Sequence, residues 1–363
     1  MQKEVPSMGS VTLKSVAEAA GVSVSTVSNA YNKPDQLSAE VRLRILETAK
    51  ELGYAGPNPA ARSLRSQRAR AIGLVFTERL SYAFSDPYSV GMLAGLAEVA
   101  EQFQTGLLLI PLSPFDPERP EQVEASAEAM RAAVIDGVLA YCLDIDHPAR
   151  EIALDRGLRM VATDDQDPRM DGLVLIDERG AARQVGEHIR RLGHRSVGIV
   201  VDSKVDQAQV VEVDDVEHRT MSFSWARYDG FREGLGPDVR VQTVAPPGHN
   251  SVEAGRAAGA HLLDQRDRPS AIIAVSDVLA LGVLDAMRQR GLEPGRDVSL
   301  CGFDDVPAAA DAGLTTVRQP IAERGRIAGR MLLDPDYTER RIVLPTELVV
   351  RSSTGPATTP QTR

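Results

Sequence analysis

The apolar positions of this chain follow two different periods. Between residues 11 and 54 they recur at helical spacing, with no run of the kind that makes strands. Thr12 can cap a first helix, in which Leu13, Val16, Ala17 and Ala20 share one face. Gly21 follows at a turn, where positive φ costs a glycine little. Ser23 can cap a second helix starting at Val24, with Val27 and Ala30 inward and Ser25 and Asn29 outward. A third helix is predicted after Ser38, with Val41, Ile45, Ala49 and Leu52 inward. From residue 71 to about 351 the pattern alternates. Apolar runs (AIGLVF at 71, GLLLIP at 106, DGVLAY at 136, SVGIVV at 196, SAIIAV at 270, VSLCGF at 298) are separated by helical stretches rich in Ala, Glu and Arg. Strands alternating with helices predict parallel sheets covered on both faces.

The runs AIGLVF and SVGIVV both place a Gly near the start of a strand, and Gly73 and Gly198 are 125 residues apart. Each opens a series of strand–helix units, so the large region reads as two doubly wound halves. Ligands of such sheets bind at the carboxyl ends of the strands, which puts a site in a cleft between the halves. The segment 55–70, AGPNPAARSLRSQRAR, reads as a basic linker with room for a short helix. The acidic stretch 203–222 reads as a surface loop, and the tail from 352, SSTGPATTPQTR, as disordered.

Charge sharpens this division. The chain carries a net −10, but residues 1–70 hold 10 Lys+Arg against 6 Asp+Glu and the rest is strongly acidic. A small basic head on an acidic body fits a head that meets a polyanion. Hydrophobic residues at 43% are ordinary for a globular protein. The two cysteines, Cys142 and Cys301, make no metal or redox spacing and suit a reducing compartment. The N-terminus lacks the apolar core of an export signal, and no run reaches the roughly 18 apolar residues of a membrane span. A cytoplasmic protein without membrane contact is expected. The motifs GxxxxGK[ST], HExxH and GxSxG are absent and the six His do not cluster, so neither metal, cofactor nor catalytic set is expected.

Helix, Gly-containing turn, helix is the helix-turn-helix pattern, whose second helix enters the major groove by its N-terminal residues. Ser, Thr and Asn there can bond base edges or phosphates. The head therefore reads as a DNA reader.

On VTLKSVAEAAGVSVSTVSNAYN, LSAEVRLRILETAKELGY and PNPAARSLR, the chain resembles the lactose- and galactose-repressor family of bacterial regulators. The likeness continues through GHRSVGIV, RYDGF, SDVLALGVLDAMRQRGLEPGRDVSLCGFDD and LTTVRQP, and so spans nearly all of residues 11–350. It implies a small all-α helix-turn-helix head (9–56), a hinge helix or linker (57–70), and an α/β periplasmic-binding-protein-like core (71–351) of two doubly wound parallel-sheet subdomains. The N-subdomain would hold about 71–192 and 320–334, the C-subdomain about 194–318 and 335–351, with a disordered tail at 352–363. The resemblance also implies a homodimer on a near-palindromic double-stranded operator and a small effector, a carbohydrate by preference, in the cleft. The tail shows no heptad that would join two dimers.

By position, Val24, Ser25 and Asn29 match the family's base-facing residues, and Thr26 and Ser28 its phosphate-side ones, next to the cap Ser23. The family often has Arg where this chain has Asn29, which shifts the preference from guanine toward adenine. Leu64 matches a leucine that wedges into the minor groove, and Asn58, Ala61 and Arg62 share its hinge helix. One extra residue between Tyr54 and Pro57 leaves that register open. In the core, Arg227 and Asp304 match effector-binding positions, and a guanidinium and a carboxylate suit sugar hydroxyls. Asp164, at the end of RMVAT, is the equivalent from the first half. Phe84, Asp86, Ser276, Asp277 and Gln319 lie at or beside strand ends, and Trp225 could stack on a sugar face. Asp86, Ser276 and Asp277 equally fit helix capping, and Trp225 core packing. A ligand-controlled DNA-binding regulator of the repressor type accounts for head and core together. A transporter's solute-binding protein or a sugar-acting enzyme accounts for the core alone.

Overall fold

The computed structural model describes residues 11–57, 68–77, 80–113, 119–141, 143–163, 167–202, 208–213, 222–248 and 250–357. The chain divides into two compact units, up to Ala69 and from Arg70 onward.

Among the described residues, the first unit has the α-helices α1 (Leu13–Ala20), α2 (Val24–Asn32) and α3 (Ala39–Glu51). Each starts at a predicted cap. The side-chain oxygens of Thr12, Ser23 and Ser38 accept from the amides of Ser15, Thr26 and Val41, meeting donors that a helix start leaves unpaired. Gly21 ends α1 at φ 66°, as the turn requires. Val16, Ala17, Ala20, Val27, Ala30, Ile45 and Ala49 form the core of this unit. Leu52 does not join them. It lies one residue past the end of α3 and is 38% exposed, because the inward line stops with the helix.

The second unit holds two lobes. The first lobe is a six-stranded parallel sheet in the order β12-β5-β4-β3-β1-β2. Its strands are β1 (Ala71–Phe76), β2 (Gly106–Pro111), β3 (Gly137–Ala140), β4 (Arg159–Ala162), β5 (Gly172–Ile176) and β12 (Arg341–Leu344). The second lobe is a five-stranded sheet in the order β10-β9-β6-β8-β7. It is made of β6 (Ser196–Val200), β7 (Val211–Glu212), β8 (Arg240–Ala245), β9 (Ala271–Ala274) and β10 (Ser299–Cys301), with only β7 antiparallel. The internal repeat is visible in the pairing: β1 lies between β3 and β2 as β6 lies between β9 and β8.

The helices among this unit's described residues are, in chain order, α4 (Leu80–Ala83), α5 (Pro87–Gln102), α6 (Pro120–Ala132), α7 (Pro148–Asp155), α8 (Glu178–Arg191), α9 (Ser222–Leu235), α10 (Val252–Leu263), α11 (Asp277–Gln289), α12 (Pro307–Asp311) and α13 (Ile321–Leu333). Gly230 on α9 allows a close approach to α8: a Cβ there would lie 2.2 Å from the carbonyl oxygen of Arg179. That approach sets the distance between the side chains of the two helices near the cleft.

Three boundaries differ from the sequence reading. The segment 335–351 does not belong wholly to the second lobe. Strand β12 pairs with β5 at the edge of the first sheet, whereas β13 (Glu347–Val349) pairs antiparallel with β11 (Thr316–Arg318). The last crossing between lobes thus falls between Leu344 and Glu347 and not at 334/335, because pattern fixes a strand and not its partner. Second, the stretch read as a surface loop at 203–222 contributes β7 to the sheet edge, and Val213 is buried.

Third, the tail is ordered through residue 357. Ser353 is buried, donates from Oγ to the Leu300 carbonyl (2.6 Å) and accepts from the Thr315 amide (2.8 Å). The Ala357 amide donates to the Leu192 carbonyl (2.8 Å). His194 completes this corner. It is buried, its Nδ1 lies 2.9 Å from Ser270 Oγ, and its Nε2 lies 3.0 Å from Ser299 Oγ and 3.1 Å from the Gly355 carbonyl. Small polar residues that look disordered in sequence here satisfy buried backbone groups.

Burial lowers the pKa of His194 below its ordinary 6.5, only partly offset by the Gly355 carbonyl. The folded state therefore binds fewer protons than the unfolded one as pH falls through about 6.5. Stability from the neutral imidazole is complete above that pH and declines below it. We expect the stability margin of the wild type over His194→Gln to be largest above pH 7 and to shrink by pH 5.5 in denaturant titrations. A margin that is constant or grows on acidification contradicts this role.

Candidate functional site

In the first unit, the start of α2 presents a polar, exposed face. Val24 is 47% exposed although apolar. Ser23 Oγ lies 2.7 Å from both Ser25 Oγ and Thr26 Oγ1. Ser28 Oγ accepts from Asn32 Nδ2 at 3.1 Å, and Asn29 Nδ2 donates to Gln36 Oε1 at 3.4 Å. The inward side of the same helix, Val27 and Ala30, is fully buried. One face thus anchors α2 while the other offers hydroxyl, amide and methyl groups outward. The hinge residues Asn58, Ala61, Arg62 and Leu64 lie outside the described residues, as does Asp164 of the core.

In the second unit, Arg227 on α9 is 4% exposed. Its Nε donates to Glu178 Oε2 (2.7 Å), and its Nη1 to the Val275 carbonyl (2.6 Å) and to Asp304 Oδ1 (3.3 Å). The guanidinium carbon lies 3.8 Å from the Phe303 ring centroid and 5.1 Å from that of Phe223. Burial alone would lower its pKa, but Glu178 and Asp304 outweigh that and raise it, so Arg227 stays charged.

Asp304 sits at a strained corner. Its φ is 123° and that of Asp305 is 56°, both in the region that favours glycine. Asp277 holds this corner. Its Oδ1 accepts from Thr316 Oγ1 (2.6 Å) and its Oδ2 from the Val306 amide (3.0 Å). The Asp304 amide donates to the Val317 carbonyl (2.8 Å). Fully buried, Asp277 is pushed up to about 6, first by burial, with the Thr316 and Val306 bonds working against the rise. It therefore buttresses the loop that carries Asp304.

Gln319 joins the two lobes. Its Nε2 donates to Asp304 Oδ1 (2.6 Å) and its Oε1 accepts from Arg324 Nη1 (2.8 Å). Arg324, on α13 and 2% exposed, also donates to the Tyr88 hydroxyl (2.5 Å) and to the Thr163 carbonyl next to Asp164. A continuous chain, buried except at its half-buried ends, thus runs from Glu178 through Arg227, Asp304, Gln319 and Arg324 to Tyr88. A second link crosses nearby: Ser276 caps α11 and donates to Asn250 Oδ1 (2.6 Å), and Asn250 Nδ2 donates to the Tyr82 hydroxyl of the first lobe (3.0 Å).

Asp86 caps α5, taking the Ser89 amide (2.9 Å) and hydroxyl (2.7 Å) on Oδ2. Phe84 is 63% exposed. Trp225 is partly exposed and, two residues from Arg227, projects from another side of α9, since residues two apart on a helix do not share a face. The rings that flank Arg227 are Phe223 and Phe303. The hydrogen bonds thus bring Arg227, Asp304 and Gln319 together with Asp277 behind the Asp304 loop, while Ser276 joins Asn250 and Tyr82 and Asp86 caps α5. Glu178, Tyr82, Tyr88, Asn250 and Arg324 were not legible as members. Glu178 follows the strand GLVLI and offered a strand-end signal, but the others carry no local mark.

A helix-turn-helix unit together with a two-lobed α/β unit whose lobes share a buried polar network is the build of a ligand-responsive DNA-binding transcription regulator. The chain belongs to the LacI family of such proteins. Residues 12–58 match the model of bacterial regulatory proteins of the lacI family, and residues 187–354 that of the periplasmic binding protein-like domain. An HTH-type transcriptional regulator of Mycolicibacterium smegmatis is 38% identical over 360 residues, covering 95% of this chain and 96% of that protein. A LacI-family transcriptional regulator from Corynebacterium glutamicum superposes with a TM-score of 0.71 at 32% identity, covering 96% of this chain and 99% of that one. The complex of the transcriptional regulator CelR with cellobiose gives a TM-score of 0.64 at 27% identity over 94% of this chain and 99% of that one. These relatives are transcription regulators, not enzymes.

Proposed function

We propose that this protein is a repressor whose affinity for a near-palindromic operator is set by a small carbohydrate held between the lobes of the core. The observation that carries the reading is the outward face of α2: an exposed Val24 and a cluster of hydroxyls on a helix whose other side is locked into a core. Apolar contact with a thymine methyl and hydrogen bonds to base edges and phosphates are what such a face can supply. Asn29 reads adenine by preference. A homodimer offers one α2 to each half-site, which matches the palindrome. Leu64 wedges into the minor groove at the operator's centre, with Asn58, Ala61 and Arg62 beside it.

Support for a sugar comes from the cellobiose-bound relative and from the carboxylate, amide and guanidinium groups gathered by Asp304, Gln319 and Arg227. The ligand is sensed and not converted. It changes how the lobes pack and thereby the spacing of the hinges, and a coupling of about 1–3 kcal/mol changes operator affinity roughly 5- to 150-fold. A protein that acts on operators works in the cytoplasm. Among the described residues no helix is long and apolar enough to cross a membrane.

Fluorescence anisotropy with a set of near-palindromic duplexes against a scrambled duplex tests this. A preference of about a thousandfold or more is expected for one palindrome, with Leu64→Ala weakening the palindrome far more than the scrambled duplex. Equal binding to all duplexes removes the regulator reading.

A further inference from the structure

In the head, a residue from outside α2 reaches onto the polar side of that helix. After α2 the chain turns back. The Lys33 amide donates to the Asn29 carbonyl (2.8 Å) and closes α2. Pro34–Gln36 then form a 3-10 turn, with the Leu37 amide donating to the Pro34 carbonyl (3.1 Å). Pro34 fixes its own φ at the start of that turn, and Leu37 packs against the core of the head. The turn is anchored on both sides, and it delivers the exposed Gln36 to Asn29: Asn29 Nδ2 donates to Gln36 Oε1 at 3.4 Å. Asn29 is half-buried and lies one helical turn after Ser25, on the same side of α2.

What Gln36 takes from Asn29 decides what Asn29 can offer. A side-chain amide has two N–H donors and one carbonyl oxygen acceptor. With one N–H held by Gln36, the other edge of the amide presents one acceptor beside one donor. Adenine shows the complement in the major groove, the N6 donor beside the N7 acceptor, whereas guanine shows two acceptors, O6 and N7. An untethered asparagine can turn both N–H groups toward guanine; one tied to Gln36 cannot. The tie also removes, before binding, rotamer freedom that a loose side chain would lose on the duplex.

We infer that Gln36 is a positioning residue for base selection: it fixes the Asn29 amide with its acceptor–donor edge outward and so makes that position of the operator adenine and not guanine. The inference rests on the proposed reading of Asn29 as base-facing and adds the residue that sets its orientation.

The test is selection by the full chain from a duplex library randomised across a palindrome. Anisotropy follows on the selected duplex and on the same duplex with the symmetric adenines read by Asn29 changed to guanine. The wild type is expected to prefer adenine about ten- to a hundredfold at one symmetric pair of positions, and Asn29→Ala to lose that preference. Gln36→Ala narrows the adenine-to-guanine ratio about fivefold at that pair alone, with base preferences elsewhere and the thermal melting of the protein as in the wild type. Gln36→Glu keeps an acceptor within reach of Asn29 Nδ2 and retains the ratio, although its charge weakens binding to both duplexes. A merely structural role for Gln36 would move all positions together. An undiminished ratio in Gln36→Ala overturns the inference, as does a loss spread evenly over the operator or a ratio in Gln36→Glu as low as in Gln36→Ala. If Asn29→Ala selects the same duplex as the wild type, the base-facing reading of Asn29 fails and the role of Gln36 falls with it. A wild type that selects no duplex removes both together with the regulator reading.

Discussion

Replacing Arg227 with Met abolishes the response of operator binding to ligand, leaves operator binding itself intact, and lowers the melting temperature of the core by on the order of 10 °C. Two effects of one guanidinium lie behind this. It is the only described cation in contact with Glu178 and Asp304, and both carboxylates are largely buried. Its removal leaves them without a counter-charge, which costs about 3–5 kcal/mol when a buried pair is broken from one side. It also removes the guanidinium whose Nη1 positions Asp304 for a ligand hydroxyl. Asp304→Asn is expected to cost less stability by itself, and to recover part of the loss when combined with Arg227→Met, because it deletes the orphaned charge. Differential scanning calorimetry reads the stability and operator titration with and without ligand reads the response. A normal induction curve in Arg227→Met excludes the assigned role.

Val24→Asp is expected to abolish operator binding while leaving the head at least as stable as the wild type. The two effects part because they arise on different sides of α2. Val24 is the first residue of the helix and 47% exposed, so its loss removes little burial. An acid in the first turn is favoured by the helix dipole, by about 0.3–1 kcal/mol. The same carboxylate pointed at a duplex replaces an apolar contact with like-charge repulsion against phosphate. That costs several kcal/mol, or at least about a hundredfold in affinity. Gel shift and circular dichroism on the same preparation decide the matter. Retained binding, or a head that unfolds, would show that this end of α2 is not the DNA-facing surface.

The helix-turn-helix unit was almost entirely legible in the sequence. Its information is local: Thr12, Ser23 and Ser38 cap the helices that follow them, Gly21 makes the turn, and apolar residues three and four apart choose the buried side. The two α/β halves were legible for the same reason, since alternation of strand and helix is also a local signal. The identity of the cleft pair Arg227 and Asp304 was legible only through the family resemblance.

Partnership is what the tertiary structure alone decided. Arg227 meets Glu178 at a separation of 49 residues and Asp304 at 77, and Asn250 meets Tyr82 across 168. No period or motif encodes such distances. Asp277 and Asp304 look equally suited to a ligand as letters, yet one has both oxygens consumed by Thr316 and Val306 while the other faces Arg227 and Gln319. The placement of β12 in the first sheet and the seating of Ser353 against β10 follow the same rule. A residue's own chemistry and its near neighbours set what it can form. Which of several equivalent polar or strand partners it finally meets depends on what long-range packing brings within about 3 Å.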